Sequence, residues 1–210
     1  MLISQLFTNP IIFVESLVAI LIGLTIHEAA HAWSAYRLGD PTAKYEGRVS
    51  LNPLAHIDPW GMLFLLTVGF GWGKPVPVNP TLLRGGTGGQ IATSLAGIAA
   101  NLILATILAM IIRFIPGLPV GLINFFILII AINLLLAAFN ILPIPPLDGS
   151  SLLRPLIGET AFLQLQSLGL PILLGLLLLS TFGFPILQTI IYGIVNFLFK
   201  ILLGSGFTPF

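Results

Sequence analysis

The segment 26–31 contains two histidines that are four positions apart, with an acid directly after the first of them. Residues at this spacing lie one turn apart on the same face of a helix, so His27 and His31 can present two imidazoles to one metal ion. Neutral imidazole is a good zinc ligand. Glu28 lies where its carboxylate can reach a metal-bound water and take its proton. The pattern predicts a metal site that activates water.

The surroundings of this H-E-x-x-H motif strengthen the prediction. In a soluble helix the same pattern can be two polar residues on one face with a helix-favouring Glu between them. Here it lies within an apolar run at about residues 11–33. Ionisable groups inside an apolar segment cost free energy unless they are paired or functional. We therefore expect a metal site rather than an ordinary polar helix face.

The composition indicates a polytopic membrane protein. Of the 210 residues, 57% are hydrophobic and only 7% are charged, whereas soluble domains have about 25% charged residues. The formal net charge of +1 argues against a nucleic-acid partner. The chain has no cysteine, which excludes disulfides and thiolate zinc sites. The expected surroundings are therefore a lipid bilayer.

Five apolar segments have the length of about 20 residues that a membrane span needs. We expect these spans at about residues 10–36, 91–112, 122–142, 162–181 and 185–203. The predicted fold is an all-α polytopic membrane protein in which about five transmembrane helices, a re-entrant hairpin and a short helix surround a buried zinc site. We expect one membrane-embedded domain over residues 1–210, with a core at about 10–155 and a C-terminal helical hairpin at about 160–204.

The chain between the first two spans is too polar or too short to cross. Within residues 42–59, the stretch 45–53 has short strand character that Gly and Pro interrupt. We therefore expect a surface or re-entrant hairpin. Residues 60–70 are apolar but cover half a span, which predicts a re-entrant or interfacial helix. Residues 71–80 should be extended, because each Pro disfavours helix at the residue before it. The glycine-rich residues 85–89 are expected to be a flexible link.

The distribution of Lys and Arg predicts the orientation in the membrane. If residues 60–70 do not cross, only Arg113 lies outside, and the other seven basic residues lie inside. If residues 60–70 crossed, four of these seven would face out. We therefore expect the N-terminus outside, the C-terminus inside, and the motif about 9–15 Å below the inner surface at about 1.5 Å per residue. The seven are Arg37, Lys44, Arg48, Lys74, Arg84, Arg154 and Lys200.

A hydrolytic zinc site needs a third protein ligand and keeps its fourth position open. The remaining candidates are His56, Asp58 and Asp148. Asp148 lies in a Pro-Pro-Leu-Asp-Gly turn after the third span, where an acid is costly unless it is ligated or paired. It could otherwise be a loop-end acid at the membrane surface. His56 is an alternative ligand, although we expect His56 and Asp58 to pair with each other or with their loop.

Two motifs together resemble a known family. The H-E-x-x-H motif on one span and the sequence N-x-x-P-x-x-x-L-D-G at residues 140–149 resemble the site-2 protease family of intramembrane metalloproteases. The second motif is far more specific than the first. Residues 94–101 resemble the family's small-residue helix that ends in Asn, although Ile98 stands where Pro is usual. Residues 71–80 resemble the compact bacterial and archaeal branch, and the whole resemblance covers about residues 17–154.

The resemblance implies a role for each matching residue. His27, His31 and Asp148 would bind one zinc ion per chain, and Glu28 would act as general base and later as proton donor. The reaction would be hydrolysis of a peptide bond in or near the transmembrane segment of a single-span membrane protein. The resemblance also implies a bacterial or archaeal cell membrane.

Several polar residues have two interpretations. By resemblance, Asn140 would hold the substrate backbone near the scissile bond, and Asn101 is a second candidate for substrate binding. Asn140 could instead cap the break after the third span, and Asn101 could join helices within the membrane. We expect Asn133 to be a packing or cavity residue and Arg48 to be an anchor on the positive side.

A helical substrate hides its amides, so it must unwind locally before it is cut. An extended edge near the zinc could pair with the unwound segment by strand addition. Residues 45–51 and 76–79 are the candidates for this edge.

Two other functions are compatible with parts of the sequence. A non-catalytic pseudoprotease could bind zinc and retain membrane partners, although the ligands and the base are all intact. A metal transporter would normally carry acidic or His residues on several spans, whereas here the polar groups converge on one site. The sequence predicts no oligomeric state.

Overall fold

The helix that carries the H-E-x-x-H motif begins with a capping asparagine followed by a proline. The computed structural model describes residues 2–204, in which helix α1 covers Leu2–Thr8 and helix α2 covers Pro10–Arg37. The Asn9 side chain caps α2, because its oxygen accepts a hydrogen bond from the Ile12 amide at 3.3 Å. Proline at the first helical position has the φ that a helix needs. The first predicted span is therefore confirmed.

The other helices follow in the predicted order. In the described part of the chain, five helices are long and apolar enough to cross a membrane, namely α2, α5, α6, α8 and α9. This confirms the predicted all-α architecture of a multi-pass membrane protein. The helices are α3 (Thr42–Tyr45), α4 (Pro59–Val68), α5 (Thr87–Phe114), α6 (Val120–Asn140), α7 (Arg154–Ile157), α8 (Glu159–Thr181) and α9 (Ile186–Leu203), and 3-10 turns cover Pro53–Ala55 and Asp148–Leu153.

Helices α2, α5 and α6 pack against one another and form the centre of the fold. Small side chains are frequent where they meet, and these let helix backbones approach closely enough for extensive dispersion contacts. Helix α9 packs against α6 and α5, and α8 packs against α9. The almost completely buried small residues are Ala19, Ala32, Ala35, Ala105, Ala109, Ala131, Ala137 and Ala138.

The loop after α2 differs from the predicted hairpin. Residues 42–59, all of which the structure describes, form no strand, and one isolated bridge joins Ile57 to Gly73. Short helical turns and side chains satisfy the backbone here in place of a neighbouring strand. The fully buried His56 is an example, because its Nε2 donates to the Ser50 carbonyl at 2.8 Å. The strand character expected from the sequence is therefore wrong.

Helix α4 confirms the predicted short apolar helix. It has ten residues, which at about 1.5 Å each cover roughly 15 Å, half of a hydrocarbon core of about 30 Å. Asp58 caps its start by accepting a hydrogen bond from the Gly61 amide at 2.8 Å. Asp58 therefore pairs with its own loop and not with His56. Gly69 ends the helix with a left-handed φ of 88°.

Arg48, which we predicted to be an anchor on the positive side, has a buried side chain that binds within the protein. Its side chain donates to the Pro75 carbonyl at 2.8 Å and to the Lys74 carbonyl, and only 2% of the residue is exposed. The planar guanidinium can bind two neighbouring carbonyl oxygens at once. Arg48 thereby holds the extended segment 71–80 against the loop that follows α2.

The glycine-rich residues 85–89 are partly turn and partly helix, so the predicted flexible link is also wrong. Gly85 and Gly86 have φ values of 83° and 56° and turn the chain. Helix α5 then begins at Thr87. A Cβ on Gly89 would lie 2.3 Å from the Arg84 carbonyl oxygen, so close packing of the turn requires glycine there.

Asp40 connects the end of α2 to the extended segment. Its carboxylate is fully buried and accepts hydrogen bonds from the Thr42 amide at 3.0 Å, from the Thr42 hydroxyl, and from the Asn79 amide at 2.6 Å. Burial raises the pKa of the Asp40 carboxyl, but these hydrogen bonds outweigh burial and hold its pKa below the ordinary value. The fold therefore stabilises the ionised form.

We expect Asp40→Asn to lower the free energy of unfolding at neutral pH by about 1–3 kcal/mol, because an amide cannot accept from both Thr42 and Asn79. Since the folded-state pKa is lowered, the wild-type carboxylate contributes fully above its ordinary pKa. This contribution is lost as the pH falls through the folded-state pKa. Melting temperatures in detergent should thus differ at neutral pH and converge in acid.

The matched control for this prediction is Asp58→Asn, which should change the melting temperature little, because Asn caps a helix about as well as Asp. An Asp40→Asn difference of equal size at neutral and acid pH would contradict the assignment of the Asp40 hydrogen bonds.

Candidate metal centre

Two histidines and one aspartate converge at the centre of the helix bundle. His27 and His31 lie on the buried face of α2, and their Nε2 atoms are 3.0 Å apart. Asp148, at the start of the 3-10 turn after α6, places Oδ2 at 3.0 Å from His27 Nε2 and 3.2 Å from His31 Nε2. The possible ligand atoms of the three residues lie within 4.8 Å of one another. The structure thus brings together the three residues that were predicted to bind metal.

Helix α5 holds the other nitrogen of each imidazole ring. His27 Nδ1 lies 2.7 Å from Asn101 Oδ1, and His31 Nδ1 lies 2.8 Å from the Thr93 carbonyl oxygen. Amide and carbonyl oxygens only accept hydrogen bonds, so each Nδ1 must carry a proton. In a neutral imidazole this leaves the lone pair of Nε2 free. Both rings are therefore oriented as metal ligands.

The donor set fits a zinc ion. Two Nε2 lone pairs and a carboxylate oxygen meet without a donor between them, and the buried Asp148 Oδ2 accepts no hydrogen bond. Acceptors in such contact repel one another unless a cation or proton lies among them. In a tetrahedral zinc site with bonds of about 2.0–2.1 Å, neighbouring ligand atoms lie roughly 3.3 Å apart. The observed separations of 3.0–3.2 Å are close to that value.

Gly97 allows α5 to approach the two imidazoles. A Cβ at this position would lie 2.5 Å from His31 Nε2 and 2.7 Å from His27 Cε1, which is too close for a real contact. The small-residue helix at 94–101, which carried part of the family resemblance, thus packs against the helix that carries the histidines. Sequence reasoning missed the direct contact of Gly97, and it missed Thr93, which acts through its backbone carbonyl and has no side-chain signal.

Asn101 on α5 forms hydrogen bonds with residues of α2 and α6. Its side chain is fully buried. Its Oδ1 accepts from His27, and its Nδ2 donates to the Gly23 carbonyl at 3.0 Å and to Asn133 Oδ1 at 2.8 Å. Both ends of the buried amide are bonded within the protein, which agrees with the alternative that Asn101 joins helices, and its oxygen orients the His27 ring.

The other predicted site residues lie around this centre. Glu28 is half-buried, and a Cβ on Gly73 would lie 3.3 Å from its Oε1, so its carboxylate faces the extended segment. Asn140 is the last residue of α6 and is half-buried, with Nδ2 donating to the Leu136 carbonyl at 3.0 Å. His56 is held by its own loop and does not join the three converging residues.

An apolar cavity of about 350 Å³ lies near Glu28, whose side chain is not part of its wall. Its wall includes Leu24, one turn before Glu28 on α2, and Gly73, which faces the Glu28 carboxylate. Helices α4, α6, α8 and α9 and the residues just after α4 supply most of the wall, with Met62, Leu136, Phe139, Leu177 and Ile191 among the lining residues.

We expect Gly97→Ala to weaken zinc binding by at least about tenfold, because its methyl group would overlap both imidazoles and move their nitrogens. Competition with a chromogenic chelator in detergent measures this affinity. Gly193→Ala is the matched control, since a Cβ at that helical position meets nothing within 4 Å. Equal zinc affinity of Gly97→Ala and wild type would contradict the described approach of α5 to the histidines.

Comparison with known proteins agrees with this site. The model of Peptidase family M50 matches residues 116–181, which include Asp148. YwhC of Bacillus subtilis is 39% identical over 148 residues, or 67% of this chain and 68% of YwhC. Rip2 of Mycobacterium tuberculosis is 31% identical over 201 residues, or 90% of this chain and 74% of Rip2.

A third relative is MJ0611 of Methanocaldococcus jannaschii, which is 32% identical over 170 residues, or 72% of this chain and 78% of MJ0611. All three relatives are named as candidate zinc metalloproteases. No solved structure gives a significant match. The identities and coverage show that the chain belongs to peptidase family M50, the site-2 protease family of membrane zinc metalloproteases.

Proposed function

We propose that this metalloendopeptidase hydrolyses a peptide bond in or near the transmembrane segment of a single-span membrane protein. The observation that carries the proposal is the convergence of His27, His31 and Asp148 in the centre of a membrane helix bundle, with Glu28 beside them. These three residues would hold one zinc ion per chain. Water and a peptide bond would meet at this buried position.

The proposed mechanism assigns the proton transfers to Glu28. Bound zinc would supply a Lewis acid, which polarises the scissile carbonyl and lowers the pKa of water to about 7. The Glu28 carboxylate would accept the proton of the attacking water and then donate it to the leaving amine. The Thr93 carbonyl and the Asn101 amide would keep the two imidazoles in place during the reaction.

The substrate would bind in an extended form next to Glu28. The extended segment 71–80 supports this, because its Gly73 faces the Glu28 carboxylate. Within residues 2–204, the backbone groups of Val76 and Val78 have no hydrogen-bond partner, so they could pair with an added strand. Residues 45–51 are less suitable for strand addition, because they contain no extended edge.

Two further features would position the substrate. Asn140, which is half-buried at the end of α6, would hold the substrate backbone near the scissile bond. The apolar cavity beside Glu28 would receive the neighbouring side chains, since transmembrane segments consist mainly of apolar residues.

We further propose that the site opens toward the cytoplasm and that the protein resides in the cell membrane. Helix α4 is too short to cross, which supports the orientation with most basic residues inside. Near the inner end of α2, Arg37 lies over the Trp33 ring at 5.5 Å and Lys44 over the Tyr36 ring at 4.2 Å. Aromatic and basic residues together are typical of a membrane interface.

The helices would act as one catalytic domain. The core at about 10–155 supplies the ligands and the base, and the C-terminal hairpin at about 160–204 packs on that core through α9. Helices α8 and α9 also line the cavity beside Glu28. This shared cavity supports a single membrane-embedded unit.

We expect Glu28→Gln to reduce cleavage by at least about a hundredfold while zinc stays bound, because the variant keeps the ligands but loses the general base. The measurement combines zinc content with the cleavage rate of a single-span test protein that carries a tag at each end. Glu15→Gln is the matched control, because Glu15 is also half-buried on α2 but lies three turns from the ligands.

Zinc-loaded Glu28→Gln protein that cleaves at the wild-type rate would contradict the proposed mechanism. Wild-type and Glu28→Gln proteins that capture the test protein equally well and never cut it would instead indicate a non-catalytic binder.

A further inference from the structure

Two buried asparagines connect the first metal ligand to two neighbouring helices. Asn133 Nδ2 on α6 donates to the Ile129 carbonyl at 2.8 Å. Asn133 Oδ1 accepts from Asn101 Nδ2 on α5 at 2.8 Å, and Asn101 Oδ1 contacts His27 Nδ1 on α2 at 2.7 Å. Both asparagines are fully buried. We name Asn101 and Asn133 the amide pair.

The direction of each hydrogen bond in the amide pair is determined by backbone carbonyls. The Ile129 carbonyl can only accept, so it must face the NH₂ end of Asn133. Asn133 therefore presents its oxygen to Asn101. The Gly23 carbonyl also faces Asn101, at 3.0 Å from Nδ2. Two acceptors thus hold the NH₂ end of Asn101, and only its oxygen can face His27.

This order decides which nitrogen of His27 is protonated. Because Asn101 presents an oxygen, His27 must donate from Nδ1, and the lone pair of Nε2 then points at Asp148 and His31. A ligating His commonly donates its other ring N–H to an oxygen, and loss of that partner weakens metal binding. The Thr93 carbonyl, which belongs to the backbone, does this for His31.

A role in helix packing alone does not explain this arrangement. Asparagine side chains can join helices in a membrane in either amide orientation. Here the acceptors at Ile129 and Gly23 select one orientation, and the chain of bonds ends on a metal ligand. Gly23 also lets α6 approach α2 beside the amide pair. A Cβ on Gly23 would lie 2.8 Å from Leu136 Cδ1 and 3.4 Å from Asn133 Nδ2.

We propose that the amide pair is a positioning device, in which Asn133 orients Asn101 and Asn101 selects the Nδ1-protonated tautomer of His27 for metal binding. The inference rests on the proposed role of His27 as a ligand. It makes Asn133, whose side-chain hydrogen bonds go to Asn101 and Ile129, part of the support of the metal centre.

The test measures the His27 tautomer and zinc affinity in Asn101→Leu, Asn133→Leu and wild-type full-length protein. Imidazole nitrogen NMR distinguishes the tautomers, and the chain has only three histidines to assign. Spectra of metal-free protein report the tautomer independently of zinc binding and of proteolysis, so failure of this inference can be separated from failure of the proposed function. Chelator competition gives the zinc affinity.

We expect metal-free wild type to show a single His27 tautomer with a hydrogen-bonded Nδ1 proton. Asn101→Leu should show mixed tautomers and about 10–100-fold weaker zinc binding. Asn133→Leu should change both properties in the same direction and by less, because the Gly23 carbonyl still holds Asn101. Thr106→Val is the control on α5, since its hydroxyl bonds only the Leu102 carbonyl of its own helix, and both properties should match wild type.

A single unchanged His27 tautomer in Asn101→Leu, or unchanged zinc affinity, would overturn the inference. An equal loss in Thr106→Val would also overturn it, because the effect would then reflect general damage to α5. If Asn101→Leu does not fold, Asn133→Leu decides the question. A shifted His27 signal with weaker zinc binding supports the amide pair, and wild-type values for both overturn it.

Discussion

The structure depends on one contact, in which two imidazole nitrogens and a carboxylate oxygen meet at about 3 Å inside an apolar helix bundle. Three acceptors in this position repel one another and have lost their hydration. A divalent cation converts that repulsion into attraction, because each acceptor then becomes a ligand. The contact therefore explains why His27, His31 and Asp148 can lie inside an apolar helix bundle despite the cost of burying polar groups.

Helix α5 makes this contact possible in two ways. Gly97 leaves room for the imidazole rings, and oxygens of Thr93 and Asn101 bind the outer nitrogen of each ring. These bonds hold each ring in one orientation, which lowers the entropy that the side chains lose on binding a metal ion. Helix α6 supports α5 through Asn133 and also leads into the turn that carries Asp148. Helices α5 and α6 together thus position the three side chains that converge here.

Sequence patterns predicted the parts of the molecule that follow from local chemistry. Apolar length gave the five spans and the short helix α4, and the spacing of His27 and His31 placed both on one helix face. The cost of an acid after the third span and the family resemblance both predicted that Asp148 lies with the two histidines, and the structure places it there. Each of these features depends on a few residues that are close together in the chain, so it can be predicted from a single sequence.

Other features depend on contacts between distant segments and were not predictable in this way. The sequence predicts Arg48 to be an anchor on the positive side, and only the fold shows that its guanidinium donates to two carbonyls of segment 71–80. The loop after α2 has the strand propensity of a hairpin. The prediction failed because strand propensity is weak evidence where side chains and short turns can bond the backbone instead. Asn101 was placed near the site, but its role depends on Gly23 and Asn133 on other helices.

The most direct test of the account is the zinc content of purified protein, measured for wild type beside Asp148→Asn and the matched control Asp58→Asn. The account predicts about one zinc ion per chain in wild type and in the control, and little or none in Asp148→Asn at the same free zinc concentration. Metal-free wild type after mild purification with zinc supplied, or full zinc content in Asp148→Asn, would contradict the central claim that His27, His31 and Asp148 form the metal centre.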